Sequence, residues 1–88
     1  MKDKKLLEEL ARLRAELDEA IRENSDARDK LNSLIKDIEQ AVFQPDQSDA
    51  DKDLLGDIKG AIEKFETEHP RATAILNDIM VTLSNMGI

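Results

Sequence analysis

Apolar residues at Leu6, Leu10, Leu13, Leu17 and Ala20 recur in alternating steps of four and three, which places them in one stripe on a helix. The residues between them are mainly Glu, Arg, Asp and Ala, and Glu8 stands four before Arg12 in the favourable order for a helical ion pair. The pattern predicts a helix over 3–22. At Glu23, Asn24, Ser25 and Asp26 the helix formers give way to cap-prone residues, and Ser25 is a candidate acceptor for a backbone N–H in a new first turn. The stripe nevertheless keeps phase through Asn24, Ala27, Leu31, Leu34, Ile38 and Ala41, with no Gly or Pro before Pro45. Two readings fit, a break near Asn24 and one long, locally weakened helix. Either ends near Phe43, because Pro45 disfavours the α region for Gln44.

After the linker QPDQS (44–48), Ser48 three before Asp51 forms a weak capping box, and Asp49, Asp51 and Asp53 place negative charge where a helix N-terminus favours it. Leu55, Ile58, Ile62 and Phe65 continue the three-four spacing. Gly56 and Gly60 interrupt it at about 1 kcal/mol each relative to Ala. They lie one turn apart, which suits either close backbone approach or an exposed face. Pro70 requires a kink or a fresh start, and proline is well accepted at a first helical position. Ala72, Leu76, Ile79, Leu83 and Met86 then form a last stripe, with Gly87 suited to end it in a left-handed turn.

The chain therefore reads as one all-α domain over 1–88, a long antiparallel helical hairpin with coiled-coil-like seams. Its arms are 3–43 and 49–86, with soft points near Asn24 and at Pro70. With 88 residues and two aromatics, Phe43 and Phe65, two narrow seams supply a thin core, so dimerisation into a helical bundle is expected. The last segment adds Met80 and Val81 to its stripe and is apolar around much of its circumference. Leu76, Ile79, Met80, Leu83, Met86 and Ile88 are accordingly the candidate protein-interaction residues, at a dimer interface or a docking surface.

Charge and composition narrow the function by exclusion. A net charge of −7 repels nucleic acid and anionic membrane surfaces, so neither is an expected partner. No apolar run approaches the roughly 20 residues of a membrane span, and MKDKKLLEEL lacks a signal-peptide pattern, which points to the cytoplasm. The absence of cysteine removes disulfides, thiolate metal sites and cysteine nucleophiles. Asp49, Asp51 and Asp53 match the opening of a calcium loop, but Leu54 stands where the turn needs Gly and Gly60 where a bidentate Glu should close the shell. They are better read as helix-start charges. His69, the sole histidine, stands beside Pro70 in a capping or packing role, and Asn24 is either a register-setting seam residue or a simple cap.

No catalytic, cofactor-binding or metal-ligating residue is assigned, and no cofactor is expected. The expected function is a non-enzymatic structural or protein-protein interaction module. The competing class, a small-molecule or metal-binding bundle, would direct polar ligands inward, where this chain has Leu, Ile and Ala.

FETEHP (65–70) and LSNMGI (83–88), after an opening KKLLEELARLRAELDEA, carry a resemblance. The chain resembles domain-of-unknown-function family four-four-zero-four, a family of short bacterial proteins. The resemblance covers the whole chain loosely and is specific in the last third. It implies a bacterial origin and a helical fold, and brings no activity or catalytic residue. It also implies a proline-containing break near Asn24, where this chain has no proline.

Overall fold

The computed structural model describes residues 2–19, 23–43 and 53–87, with side chains from residue 4 onward. Four α-helices follow one another: α1 Lys2–Glu19, α2 Ser25–Phe43, α3 Leu54–Phe65 and α4 Pro70–Asn85. Leu6, Leu10, Leu13 and Leu17 of α1 all lie inside, as do Ala27, Leu31, Leu34 and Ile38 of α2. Each sequence stripe is thus a buried face.

Around the core, α4 lies against both α1 and α3, while α2 closes the opposite corner against α1 and α3. The diagonal pairs, α1 with α3 and α2 with α4, make no close backbone approach. Side-chain pairs give the directions: Glu9 meets Thr82, whereas Arg12 and Glu16, further along α1, share a surface with Arg71 and Ile75 near the start of α4. Asp53 and Leu55 likewise neighbour Ser84 and Asn85, and Arg14 pairs with Glu39 at 2.7 Å. Neighbouring helices run antiparallel, which is an up-down-up-down bundle.

Of the two readings of each hairpin arm, broken or continuous, the structure has the broken one. One uninterrupted helix over 3–43 would be about 60 Å long at 1.5 Å per residue. The longest dimension of the structure is 34 Å. Both arms are divided, the first at Asn24 and the second between Phe65 and Pro70, so that the helices of each arm become neighbours across the core. The break wins over the continuous helix because the pieces can then bury their stripes against each other within one chain. Among the described residues eighteen apolar side chains from all four helices form that single core, each at most 7% exposed.

The local signals explain where the helices begin and end. At the first break Asn24, not Ser25, is the cap: its Oδ1 accepts from Ala27 N–H at 3.2 Å and its carbonyl from Arg28 N–H at 2.9 Å. The start of α3 is capped by Asp53, whose carboxylate accepts from Gly56 N–H at 2.9 Å. Asp49, Asp51 and the Ser48 capping box lie outside the described residues. Pro70 occupies the first turn of α4, where its missing N–H costs nothing. At the other end Gly87 has φ +84° and donates to the Ser84 carbonyl at 3.1 Å, an ending that favours a residue without Cβ.

The two glycines of α3 do not mediate packing inside the chain. A Cβ on Gly56 would collide with the capping Asp53 side chain, and a Cβ on Gly60 would meet nothing within 4 Å. Both are exposed.

Burial sets the expected ranking of substitutions. Leu13→Ala, at a fully buried position, should lower the unfolding free energy by about 2 to 5 kcal/mol, and the exposed Glu8→Ala by less than about 0.5. Urea titrations followed by circular dichroism measure both. Equal losses would show that the stripe does not face the core.

Candidate functional site

The bundle buries few polar side chains, and each has a partner. Glu9 falls on α1 between Leu6 and Leu13, so the helix that buries those leucines also carries its carboxylate inward, leaving the residue 4% exposed. Thr82, also 4% exposed, faces it from α4 and donates Oγ1–H to Glu9 Oε1 at 2.7 Å. A short hydroxyl-to-carboxylate bond is charge-assisted. Thr73, also buried, donates its hydroxyl to the Pro70 carbonyl at 3.1 Å within the first turn of α4. Among the described residues no buried side-chain nitrogen or oxygen lacks a partner.

The two polar residues on the stripes, Asn24 and His69, are brought together although 45 positions separate them. Asn24 Nδ2 lies 3.5 Å from His69 Nε2. The cap decides what that contact is. Asn24 Oδ1 must face the Ala27 N–H, which turns the amide NH₂ toward the histidine, so in the neutral ring Nε2 is the atom placed to accept. The His69 backbone N–H donates to Phe65 O at 2.7 Å and its ring centroid lies 6.2 Å from that of Phe65. His69 makes no side-chain cap bond to α4. Its surroundings tie one chain break to the other, and no described nucleophile contacts it.

The surface is different between α3 and α4. There Leu55, Met80 and Val81 form the apolar floor of an open groove of about 440 Å³, rimmed by Asp53, Lys59, Ser84 and Asn85. Leu55 and Met80 are half-buried and Val81 is 48% exposed. Elsewhere the large exposed apolar residues are Leu7 on α1 and Phe43 at the end of α2.

Of the interaction residues expected from sequence, Leu76, Ile79 and Leu83 are fully buried in the chain's own core and face neighbouring helices. Met80 and Met86 pack against that core while half-exposed, and Ile88 lies outside the described residues. The width of the apolar face on α4 reflects its two neighbours, α1 and α3, more than a free surface. Val81, Leu55 and Lys59 complete the groove and were not singled out as interaction residues. Leu55 belongs to the third stripe read from the sequence and Val81 to the broad apolar face of the last segment, and only the pairing of α3 with α4 brings them together with Lys59. Among the described residues no group of three His, Cys, Asp or Glu could hold a metal, and no helix is long and apolar enough to cross a membrane.

The model of a family described as Domain of unknown function (DUF4404) matches residues 6–88. No curated protein and no solved structure matches the chain.

Two measurements test the polar contacts. Thr82→Val strands the Glu9 carboxylate and should destabilise by about 1 to 3 kcal/mol, whereas Glu9→Leu combined with Thr82→Val should be near neutral. Additive losses in that cycle would mean that the pair is not coupled. Asn24→Ala should cost about 0.5 to 2 kcal/mol through the lost cap. For the neutral imidazole of the wild type, ¹⁵N shifts should show the proton on Nδ1, and an Nε2–H tautomer would rule out the amide as donor.

Proposed function

The chain belongs to this family of unknown function, and we propose that it is a non-enzymatic protein-protein interaction module whose contact surface is the α3/α4 groove. The observation that carries the reading is a contrast. Inside, the described polar groups are committed to one another in the Glu9–Thr82 and Asn24–His69 contacts and in the helix caps, which leaves no convergent set aimed into a cavity. Outside, the groove offers Leu55, Met80 and Val81 with polar residues around them, the anatomy of a protein contact with an apolar centre and a polar rim. Methionine suits such a surface because its unbranched side chain adapts to the shape opposite.

The competing small-molecule bundle gains less support. A ligand cavity encloses most of its ligand, whereas this groove lies open along two helices and its apolar floor has no buried polar anchor among the described residues.

Site-specific photo-cross-linking in cells tests the reading. A photoreactive residue at Ser84, on the groove rim, should form protein adducts, and one at the exposed Ser33 on α2 should not. Val81→Asp should abolish the Ser84 adducts while leaving the helical spectrum and melting temperature unchanged within a few degrees, as expected for an exposed position. Equal adduct yields at the two positions, or adducts indifferent to Val81→Asp, would retire the groove as the contact surface.

A further inference from the structure

We infer that the α3/α4 groove takes an amphipathic helix of another protein, whose apolar stripe covers Leu55, Met80 and Val81 and whose lysines or arginines lie at the Asp53 end; this rests on the reading of the groove as a protein contact surface.

The shape of the floor favours a helix. The lining residues run from Asp53 to Lys59 on α3 and from Met80 to Asn85 on α4, about 10 Å of each helix, or about two turns. Two antiparallel helices leave a straight furrow between them. Three apolar side chains within two turns match a partner's stripe at i, i+3 or i+4, and i+7. An extended segment would gain less, because no strand edge is present among the described residues to hydrogen-bond its backbone.

Charge selects the kind of helix. α3 and α4 balance their own charges, so the sign of the field over the groove comes from what adjoins it. Asp53 is the rim residue at one end, and the ten residues that finish with it, QPDQSDADKD (44–53), hold four acids against one lysine. One Asp53 carboxylate oxygen accepts from Gly56 N–H, which leaves the other for a partner's cation. The positive end of the α3 dipole lies there too and is answered by Asp53 and by Asp57 in the first turn. Across the furrow, Ser84 and Asn85 belong to the last turn of α4, where the helix dipole is negative and no basic residue is present. Two sources of negative potential thus meet at one end of the groove. Lys59 is the one base among the lining residues and stands about 9 Å further along α3. The potential therefore changes along the furrow, which sets the direction in which a helix with one basic end docks. An acidic partner would meet repulsion from a chain at −7.

Fluorescence anisotropy of the full chain with three labelled peptides tests the inference. The peptides share one leucine stripe at helical spacing and differ in their remaining positions, which are lysine-rich, glutamine-rich or glutamate-rich. The lysine peptide should bind with a micromolar Kd, the glutamine peptide about tenfold more weakly, and the glutamate peptide more weakly still. Asp53→Asn, which keeps a capping side chain, should weaken the lysine peptide about threefold and leave the melting temperature unchanged within a few degrees. Val81→Asp separates docking from general attraction. It adds a negative charge, so attraction to the net charge alone would tighten the lysine peptide, whereas docking on the floor should weaken it by about tenfold or more. Leu7→Asp adds the same charge at an exposed leucine outside the groove and should not weaken binding. Equal affinities for the lysine and glutamate peptides, or a Val81→Asp chain that binds the lysine peptide as tightly as the Leu7→Asp chain does, would overturn the inference. Ser84 adducts made of the chain itself would overturn it in favour of a second copy. If the peptides fail these comparisons while Ser84 still cross-links to other proteins, the basic helix is lost and the interaction module stands. Absence of the cross-links as well sinks both.

Discussion

The constraint on which the fold depends is the width of the buried face on α4. Ala72, Thr73, Ile75, Leu76, Ile79, Thr82 and Leu83 are all buried, and at about 100° per residue they span roughly half of the helix, more than one neighbour can cover. A helix in this condition needs partners on two sides. α1 takes one side and α3 the other, and α2 then seals the remaining corner between them. The sequential helices cannot reach these places unless both arms bend. The breaks at Asn24 and before Pro70 follow from burial, and the polar residues at those breaks are the ones free to leave the helical ladder.

Helix positions were largely legible from spacing because a buried stripe repeats every three to four residues whatever it packs against. Pro70, Gly87 and the end at Phe43 were legible for a more local reason, since proline and glycine act on their own backbone. The relative placement of the helices was not legible. Leu6 through Ile38 keep one phase across the break at Asn24, and a phase states which side is apolar without saying whether the helix continues. What decided it was closure of the core inside a single chain, a property of all four stripes together.

Side chains with mixed character were the harder part of the site. Glu9 carries the same charge as the many exposed glutamates of α1 and differs from them only in lying over Thr82, a residue 73 positions away. Asn24 and His69 stood out as polar members of apolar stripes, yet nothing local links one with the other. Of the α4 residues read as a contact surface, Leu76, Ile79 and Leu83 are buried within the chain, because burial takes the most apolar residues first, and the outer face is left to residues such as Met80 and Val81.

Net charge lies mostly between the helices: segments 44–53 and 66–69 carry five of the seven net negative charges, against one each on α1 and α2. α1 and α2 carry net negative charge and the exposed ion pairs Arg14–Glu39 and Arg28–Asp18, which at such exposure contribute at most about 1 kcal/mol each and mainly keep that side solvated. α3 and α4 balance their own charges, contribute the groove, and include Gly60, an exposed position at which alanine would strengthen the helix. Fold stability alone would favour alanine at Gly60, where no steric or conformational demand of the monomer opposes it.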